Sequence, residues 1–591
     1  MRGTKTFPAR YLRSLLVVLI AALFLILAVG CSSETATVTP VSPAVPVDSL
    51  VTERQTTEGI VVGEENKATN TISWKAIPYA QPPVGSLRWR APQPPEKRDK
   101  PLRATKFCDI CPQYIDHDRN PATPQVIYGN EDCLYLNIWA PKTIFQKLPV
   151  FFWIHGGGNS IQWPLLSMHD GGIMAGKSNM IVVTVNYRLG PMGFLSHPAL
   201  KTGDAQGDSG NFLILDLLAA LKWVQANIQY FGGDADNVTI AGESAGGQNV
   251  LCLISSPLAK GLFHRAISES GVIRPSTPEQ GTAHVNGILA RLLVKDGKSA
   301  NEKDAAALLA SMSPKDIETY MRSKKAQDFL EMYPEGKMEG MIQFPTAYAD
   351  GVVLPKDFYG ALESGDYNKV PMILGTNKEE AKLFLRSFPP FAGWAKDRTF
   401  YKDPAKMELY NLAAKYQSDG WKVMAVDQVA RIARDNIDQP MIFAYQFLWG
   451  AGGAQNNVIA APLNIVLGSC HAMEIDFVFG TEKASLGAYV FNEKNRPGRV
   501  ALSNAMMDYW AQFARTGNPN RDKSGLPKWS PWSNINGYPK TILLDADLEK
   551  YKITMSRSEL TQEALEAALK AEPRQKEIQP FWDTSRFRGR K

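Results

Sequence analysis

The segment VTIAGESAGGQNV, residues 238–250, places a short apolar run directly before the sequence Gly-Glu-Ser-Ala-Gly. Such a run predicts a buried strand, and the small residues after it are compatible with a helix. The glycines on either side of Ser244 permit the sharp, strained turn called a nucleophile elbow, which exposes a serine at the top of a sheet. The amide dipoles of the following helix would favour negative charge at that serine. Because Gly-x-Ser-x-Gly also occurs in ordinary turns, we predict a nucleophile at Ser244 only together with the partners described below.

Apolar runs with the length of strands recur along the chain, and helical segments lie between several of them. The runs outside the elbow are YLNIWA (135–140), VFFWIHG (150–156), MIVVTVNY (180–187), PMILGTN (371–377) and MIFAYQF (441–447). The clearest helix lies within 210–232, where apolar residues recur at intervals of three and four. This alternation indicates an α/β fold with a mainly parallel sheet covered on both faces, whose active residues follow the carboxyl ends of strands. We expect the helix-rich segments 280–345 and 385–430 to be insertions that form a cap or a cleft wall.

The charge of the chain argues against a nucleic-acid partner. The formal net charge is +6, but residues 1–30 contain four basic residues and no acid, which leaves 61 basic and 59 acidic residues, or +2, in the remainder. No basic tract interleaved with aromatic residues occurs there, as a nucleic-acid-binding surface would need. The basic ending, residues 581–591, is expected to be a solvated tail.

Residues 1–30 have the pattern of a targeting segment and are not part of the fold. Basic residues precede the apolar run Leu15–Val29, which is long for a signal peptide and short for a membrane span. The ending LAVGC resembles the lipobox of bacterial lipoproteins, in which cleavage leaves a lipidated N-terminal cysteine, here Cys31. We therefore predict a membrane-anchored lipoprotein of the cell envelope, with a flexible tether at 31–51 and a single domain over 52–580. An uncleaved N-terminal anchor is the alternative, and either arrangement places the domain outside the cytoplasm.

The remaining cysteines predict one disulfide. They are Cys108, Cys111, Cys133, Cys252 and Cys470. Cys108 and Cys111 lack the strand–helix context of a redox motif, and no second pair exists with which they could bind zinc. A structural disulfide from one of these two residues to Cys133 fits an exported protein better. Both partners stay open at this point, with Cys111 preferred.

Three consecutive glycines, residues 156–158, follow the apolar run 149–154 and suit an oxyanion hole. Backbone N–H groups of glycine can face a tetrahedral oxyanion without obstruction, and one such donor is worth about 3–4 kcal/mol of transition-state stabilisation. Glycine runs also bind phosphate, but no Lys-Ser or Lys-Thr follows these glycines as it would in a P-loop.

The base should be one of seven histidines: His117, His155, His169, His197, His264, His284 and His471. In α/β-hydrolases the order along the chain is serine, acid, histidine, and this order selects His471. Glu379 and Glu380 both follow the strand-like run 371–375, and either carboxylate could orient His471 and stabilise its imidazolium. The sequence contains no HExxH motif and its histidines are scattered, so we predict no metal site.

Taken together, these segments resemble the type-B carboxylesterase family of α/β-hydrolases, which includes the cholinesterases. FGGDADNVTIAGESAG (231–246) fits the serine signature of that family, and EDCLYLNIWAP (131–141) fits its second signature. Further matching segments are WKAIPYAQPPVGSLRWRAPQPP (74–95), NYRLGPMGFL (186–195), GDSGNFLILD (207–216), HRAISESG (264–271) and GNPN (517–520). The resemblance implies an α/β-hydrolase fold, with a large mainly parallel sheet and helical cap insertions. It also implies hydrolysis of carboxylic esters without a cofactor, and we expect a small-molecule ester substrate and an acyl-enzyme intermediate.

The resemblance assigns roles to single residues. Ser244 corresponds to the nucleophile and His471 to the base. The family's run Asn-Lys-Asp-Glu-Gly aligns with residues 377–381, so the resemblance selects Glu380 as the triad acid. The oxyanion donors correspond to the N–H groups of Gly157, Gly158 and Ala245.

Other positions follow from the same resemblance. Ser270 and Glu243 are expected to support the triad without contacting the reacting atoms. Cys133 corresponds to the cysteine that closes the family's first disulfide loop, and its mate precedes a glutamine, which implies Cys111. Glu379 and Ala381 depart from the Asp and Gly of the family's acid run.

Two departures from the family bear on the substrate. Asn159 follows the glycines where the family usually has an aromatic residue, so we expect a more polar pocket beside the oxyanion hole. The loop between the disulfide cysteines lacks the tryptophan that stacks on choline in cholinesterases, which argues against a choline ester. The alternatives to an esterase are a lipase for long acyl chains and a non-catalytic surface adhesion protein on the same fold. The retained serine, acid, histidine and glycines count against the adhesion protein, and the choice between esterase and lipase stays open because the sequence does not define the acyl chain length.

Overall fold

A large sheet dominates the structure, which is a computed structural model. It describes residues 52–115, 126–142, 147–162, 167–334, 340–397, 400–453, 457–482 and 486–583. The predicted signal segment, Cys31 and the tether lie outside the described residues.

The strands of the described residues are short at the N-terminus and longer in the centre of the sheet. They are β1 (Glu53–Thr56), β2 (Gly59–Val62), β3 (Glu64–Asn66), β4 (Thr71–Pro78), β5 (Leu102–Arg103), β6 (Gln113–Ile115), β7 (Val126–Tyr128), β8 (Tyr135–Pro141), β9 (Leu148–Ile154), β10 (Ile181–Val185), β11 (Gly233–Glu243), β12 (Arg265–Glu269), β13 (Met372–Asn377), β14 (Ile442–Phe447), β15 (Thr541–Ala546) and β16 (Tyr551–Ser556). Each strand-like run predicted from the sequence overlaps one of these strands.

Eleven of these strands form one sheet in the order β16-β15-β14-β13-β12-β11-β9-β10-β8-β4-β3. Its central strands, from β10 through β9 and β11 to β15, are parallel to one another. Strands β8, β4 and β3 at one edge and β16 at the other pair antiparallel with their neighbours. The predicted mainly parallel sheet is therefore confirmed, and its antiparallel strands lie outside the parallel centre.

Helices connect the strands and cover the sheet. They are α1 (Gly172–Ser178), α2 (Gly190–Gly193), α3 (Phe212–Asn227), α4 (Ala245–Ser255), α5 (Pro278–Lys295), α6 (Glu302–Ser311), α7 (Pro314–Ser323), α8 (Ala326–Leu330), α9 (Phe358–Ser364), α10 (Lys382–Leu385), α11 (Phe391–Lys396), α12 (Pro404–Lys422), α13 (Gln428–Arg434), α14 (Leu463–Val466), α15 (Ile475–Phe479), α16 (Gly487–Val490), α17 (Arg496–Thr516), α18 (Gln562–Ala571) and α19 (Gln575–Asp583). A π-helical turn, Val423–Asp427, joins α12 to α13. The two segments predicted to be helix-rich, 280–345 and 385–430, overlap α5 to α8 and α11 to α13.

Strand β9 shows why both faces of the sheet are covered. All of its residues are buried, and alternate side chains enter two different hydrophobic cores. Val150, Phe152 and Ile154 pack in the core that contains α3 and α4, whereas Phe151 and Trp153 pack in the core that contains α15 and α17. A strand buried on both faces has a nearly continuous apolar sequence, as LPVFFWI does.

The last two helices pack against α12. Leu565 of α18 and Trp582 of α19 belong to a third hydrophobic cluster, which also contains Ala381 at the start of α10. The hydroxyl of Tyr416 in α12 donates to the Ala568 carbonyl oxygen at 3.2 Å, and the Gln417 amide donates to the Phe581 carbonyl oxygen at 2.9 Å. The C-terminal helices are therefore joined to α12. Helix α12 in turn packs against the loop that contains Glu379 and Glu380, called the acid loop below.

The strand register brings several loops together at one edge of the sheet. Glu243, the last residue of β11, is aligned with Glu269 of β12, which is aligned with Gly375 of β13. The carboxyl ends of parallel strands lie at the same edge of a sheet. The residues that follow β9, β11, β12, β13 and β14 are therefore neighbours in space.

Candidate active site

Ser244 stands at the turn between β11 and α4. Strand β11 ends at Glu243 and helix α4 begins at Ala245, as the sequence predicts. The serine backbone has φ 61° and ψ −121°, a conformation that is strained for a residue other than glycine. Two hydrogen bonds hold this turn, from the Ser244 N–H to the Glu269 carbonyl oxygen at 2.8 Å and from the Gln248 N–H to the Ser244 carbonyl oxygen at 2.9 Å. The predicted strand–turn–helix elbow is confirmed.

The glycine loop after β9 lies against this elbow. A Cβ atom added to Gly156 would lie 3.0 Å from the Cβ atom of Ser244 and 2.8 Å from the Glu243 carbonyl oxygen. Gly157 has φ 90°, and a side chain there would meet the Ile161 carbonyl oxygen at 2.2 Å. Gly158 also has a positive φ, of 63°. Ala245 is the first residue of α4, where the backbone N–H has no acceptor within the helix.

Asn159 does not line the pocket in the way the sequence suggested. Its side chain is buried, and its Oδ1 accepts a hydrogen bond of 2.8 Å from the Nδ2 of Asn249 in α4. The expectation of a more polar pocket at this position is therefore wrong, because the Asn159 amide is buried and hydrogen-bonded to Asn249. Met341 is one of the side chains beside the glycine loop, and its Sδ lies 3.1 Å from the position of a Cβ on Gly158.

Glu380 and His471 are joined by a hydrogen bond of 2.6 Å between Oε2 and Nδ1. The other carboxylate oxygen, Oε1, accepts from the Ser270 hydroxyl at 2.5 Å, the Thr376 hydroxyl at 2.8 Å and the Asn377 N–H at 2.7 Å. Glu380 is completely buried. Four donors thus fix the carboxylate, and the carboxylate that bonds the imidazole of His471 is that of Glu380.

Two aromatic rings hold the imidazole of His471. The ring centroid of Trp421 lies 4.6 Å away and that of Phe384 lies 5.2 Å away. The Trp421 indole N–H also donates to the Ser270 carbonyl oxygen at 2.9 Å. Sequence reasoning missed both aromatic residues, because Trp421 lies in a helical insertion without a motif and Phe384 follows the acid in an ordinary helix start.

The second ring nitrogen of His471 faces a different carboxylate. Nε2 lies 3.2 Å from Oε1 of Glu243, and within the described part of the chain it has no hydrogen-bond partner. The structure therefore shows no hydrogen bond between His471 and Ser244. Such bonds are often long or misaligned in an enzyme without substrate and form when the substrate is bound.

Four buried glutamates lie around His471 and Ser270: Glu243, Glu269, Glu380 and Glu474. Burial, followed by repulsion from Glu380 and Glu269, raises the pKa of Glu243 well above its ordinary value. Burial raises the pKa of Glu269 to about 8. Burial and the charges of Glu243, Glu380 and Glu269 likewise raise the pKa of Glu474. The sequence predicted Glu243 as a supporting residue but missed Glu269 and Glu474, which carry no motif of their own.

Ser270 supports two of these carboxyl groups. Its backbone has φ 55°, and its N–H donates to the Gly375 carbonyl oxygen at 2.8 Å. Its hydroxyl contacts Glu474 at 3.4 Å in addition to Glu380. The Nδ2 of Asn377 donates to Glu474 and, at 2.8 Å, to the Cys470 carbonyl oxygen. Ser270 therefore contacts both the carboxylate that bonds His471 and the carboxyl group of Glu474.

Cys111 and Cys133 form a disulfide, and Cys108, Cys252 and Cys470 are free. The preferred pairing is thus confirmed. No group of three or more His, Cys, Asp or Glu residues is arranged to hold a metal ion within the ranges that the structure describes.

The fold and this site define the class of protein, an α/β-hydrolase with a serine at the nucleophile elbow and a Glu–His pair beside it. Comparison with known proteins agrees. A model of the carboxylesterase family matches residues 50–433 and 422–561. Carboxylesterase 1F of Mus musculus is 34% identical over 507 residues, which cover 78% of this chain and 84% of that protein.

Two bacterial esterases have a comparable sequence identity to this chain. Para-nitrobenzyl esterase of Bacillus subtilis (strain 168) is 32% identical over 515 residues, which cover 83% of this chain and 96% of that protein. The crystal structure of a Geobacillus stearothermophilus carboxylesterase at pH 6.2 has a TM-score of 0.65 and 29% identity, and it covers 90% of this chain and all of that chain. The chain therefore belongs to the carboxylesterase family, and it is a serine hydrolase that cleaves carboxylic esters.

Proposed function

We propose that Ser244, His471 and Glu380 are the nucleophile, base and acid of this esterase. The observation that carries the assignment is the 2.6 Å hydrogen bond between Glu380 and His471, formed next to the serine elbow. The N–H groups of Gly157, Gly158 and Ala245 are the proposed oxyanion donors, because the glycine loop lies against Ser244 and Ala245 follows it. Ser270 and Glu243 help to position His471 and do not react themselves.

The chemistry follows from these positions. The Ser244 Oγ attacks the ester carbonyl carbon, and the Nε2 of His471 takes the serine proton while Glu380 stabilises the imidazolium that forms. The carbonyl oxygen becomes an oxyanion that accepts hydrogen bonds from the backbone N–H groups. The C–O bond to the alcohol then breaks, and the alcohol oxygen receives the proton from Nε2. The Nε2 of His471 then takes a proton from a water molecule that attacks the acyl carbon. The bond between the acyl carbon and the Ser244 Oγ breaks, Nε2 returns the proton to Oγ, and the carboxylic acid is released.

Hydrolysis of p-nitrophenyl acetate, butyrate and palmitate by residues 52–591 tests this assignment. We expect turnover of the short esters, a loss of roughly a thousandfold or more in kcat for Ser244→Ala and for Glu380→Gln, and a smaller loss for Glu379→Gln. Full activity of Ser244→Ala would contradict the assignment. A preference for the palmitate ester would instead indicate a lipase.

The names of the similar proteins indicate a substrate class. The similar proteins are named as carboxylesterases and as a para-nitrobenzyl esterase, so we propose that small esters of aromatic alcohols are accepted. Relative kcat/KM for p-nitrobenzyl acetate and acetylcholine tests this, and a higher value for acetylcholine would contradict it.

We further propose that the enzyme is exported and attached to a membrane through a lipid on Cys31. The apolar run Leu15–Val29 followed by LAVGC supports this proposal, and so does the Cys111–Cys133 disulfide, since disulfides persist in oxidising compartments. Mass spectrometry of the mature N-terminus should find a lipidated Cys31. Cys31→Ala should move esterase activity from the membrane fraction to the soluble fraction, and an unmodified Cys31 in the mature protein would refute the anchor.

A further inference from the structure

We propose that Glu379 is a positioning residue that fixes the backbone of the loop carrying His471. The inference rests on the proposed triad, in which the adjacent Glu380 holds the imidazole. Both glutamates therefore position His471. Glu380 binds its ring, and Glu379 binds the backbone that leads to His471.

The first observation is a double hydrogen bond between Glu379 and Ser469. The Glu379 N–H donates to the Ser469 carbonyl oxygen at 3.0 Å, and the Ser469 N–H donates to the Oε2 of Glu379 at 3.1 Å. Glu379 directly precedes Glu380, and Ser469 lies two residues before His471. The pair therefore joins the acid loop to the histidine loop immediately beside the Glu380–His471 contact.

The second observation is the buried ion pair that holds the Glu379 carboxylate. The Nζ of Lys382 lies 2.8 Å from the Oε1 of Glu379, and the lysine side chain is only 1% exposed. A buried ammonium group is costly unless it is paired, so the Glu379 carboxylate offsets part of the cost of burying Lys382, whose Nζ has no hydrogen-bond partner among the described residues. With one oxygen on Lys382 and the other on the Ser469 N–H, the carboxylate has little freedom to turn.

The third observation is the close fit between this carboxylate and the turn before Ser469. Gly468 has φ 52°, and a Cβ atom there would lie 1.9 Å from the Oε2 of Glu379. The carboxylate thus fills the space over the turn, which only a glycine can provide. The buried hydroxyl of Tyr410 makes a second link between the two loops, because it contacts the carbonyl oxygens of Lys382 at 3.0 Å and Val466 at 2.7 Å.

The consequence for catalysis is geometric. A shift of about 1 Å in a reacting group can lower the rate roughly a hundredfold. When the carboxylate of Glu379 no longer accepts from the Ser469 N–H, only the backbone bond of the pair is left. The histidine loop can then move relative to Glu380, and the imidazole is no longer held in one position. We expect such a change to lower kcat for p-nitrophenyl acetate while KM changes little, since Glu379 does not bind the substrate in this proposal.

Two double variants separate the hydrogen bond from the ion pair. Glu379→Gln/Lys382→Met removes the charges but keeps an amide oxygen that can accept from the Ser469 N–H. Glu379→Leu/Lys382→Met removes the same charges and the acceptor as well. We expect kcat of the glutamine variant within about threefold of wild type and kcat of the leucine variant lower by roughly tenfold or more, with KM unchanged within about twofold in both.

A spectroscopic measurement accompanies the kinetics. The proton shared by Glu380 and His471 should give a low-field proton NMR signal in the wild type, and this signal should weaken in the leucine variant only. Glu559→Leu/Lys540→Met is the control, because it removes another ion pair of a buried lysine, with a 2.9 Å contact, together with the 3.0 Å pair of Glu559 and Arg431, all outside the two loops. The control should keep both kcat and the signal.

Equal kcat and equal signals for the two double variants would overturn the proposal. If the leucine variant does not fold, Glu379→Asp provides the second test, since it retracts the carboxylate by one methylene group and keeps its charge. A kcat for Glu379→Asp equal to that of wild type would also overturn the proposal, whereas a loss of about threefold or more would support it. Inactive wild type, or a fully active Glu380→Gln, would instead refute the proposed triad, and the two failures are therefore distinguishable.

Discussion

The Nε2 atom of His471 lies 3.2 Å from the Oε1 of Glu243, the residue directly before Ser244. Neither atom has a hydrogen-bond partner within the ranges of the chain that are described. The raised pKa of Glu243, caused first by burial and then by the charges of Glu380 and Glu269, favours a neutral carboxyl group at this position. The imidazole can therefore leave Glu243 for Ser244 without separating a salt bridge between full charges.

Glu243→Gln should be nearly neutral at neutral pH. An amide has almost the shape of a protonated carboxyl group, so we expect kcat/KM within about threefold of wild type near pH 6.5. Because the pKa of Glu243 is raised, its carboxyl group ionises only as the pH increases, and the two pH profiles should separate on the alkaline side. A loss of a hundredfold at pH 6.5 would show that an ionised Glu243 is needed there.

Glu269 should make the protein less stable as the pH rises. Its pKa is about 8 in the fold against an ordinary value of 4.5, so the folded state binds more protons than the unfolded state between these values. The protonated Glu269 contributes favourably to the free energy of unfolding. This contribution is complete below pH 4.5 and is lost as the pH rises through 8, with a slope of at most about 1.4 kcal/mol per pH unit.

Urea unfolding of wild type and Glu269→Gln from pH 5 to 9 measures this effect. The glutamine can still accept the 2.7 Å hydrogen bond from the Trp510 indole, and it cannot ionise. We therefore expect Glu269→Gln to gain stability relative to wild type as the pH rises, whereas Glu302→Gln, on an exposed glutamate, should show a constant difference. A constant difference for both variants would contradict the raised pKa.

The buried amides of Asn159 and Asn249 should be energetically coupled. Replacing either residue with alanine leaves the other amide without its partner, which costs about 1–3 kcal/mol of unfolding free energy. The double variant leaves no unpaired amide, so its loss should be smaller than the sum of the two single losses. Denaturant unfolding of the four proteins measures the coupling, and strict additivity would show that the pair contributes nothing.

Met341 should restrict the acyl group. Its thioether lies beside Gly158, where the proposed oxyanion hole places the ester carbonyl, so Met341→Ala enlarges the space next to the reacting carbon. We expect the ratio of kcat/KM for p-nitrophenyl butyrate to that for the acetate to rise by about tenfold, since a methylene group in an apolar pocket is worth about 1–3 kcal/mol. Met555→Ala, on edge strand β16, is the control, and an equal ratio in both variants would place Met341 outside the pocket.

The sequence predicted the parts of the site that depend on chain order and strand ends. The elbow at Ser244 and the partners Glu380 and His471 all follow parallel strands, so their meeting follows from the alternation of strands and helices. The contacts of Trp421 could not be predicted in this way, because its helix reaches the imidazole through tertiary packing. Asn159 misled the prediction, since its positive φ of 56° and its bond to Asn249 decide where the side chain lies and neither is visible in the sequence.

The C-terminal helices have a practical consequence for anyone who produces this enzyme. The family match ends at residue 561, and α18 and α19 begin at Gln562 and Gln575. Shortening the gene to the matched region would expose the apolar surface of α12. Helix α12 also holds the acid loop, because the hydroxyl of Ser418 accepts a hydrogen bond from the Ala381 N–H at 3.1 Å. Expression vectors should therefore keep both helices and place purification tags away from Trp582.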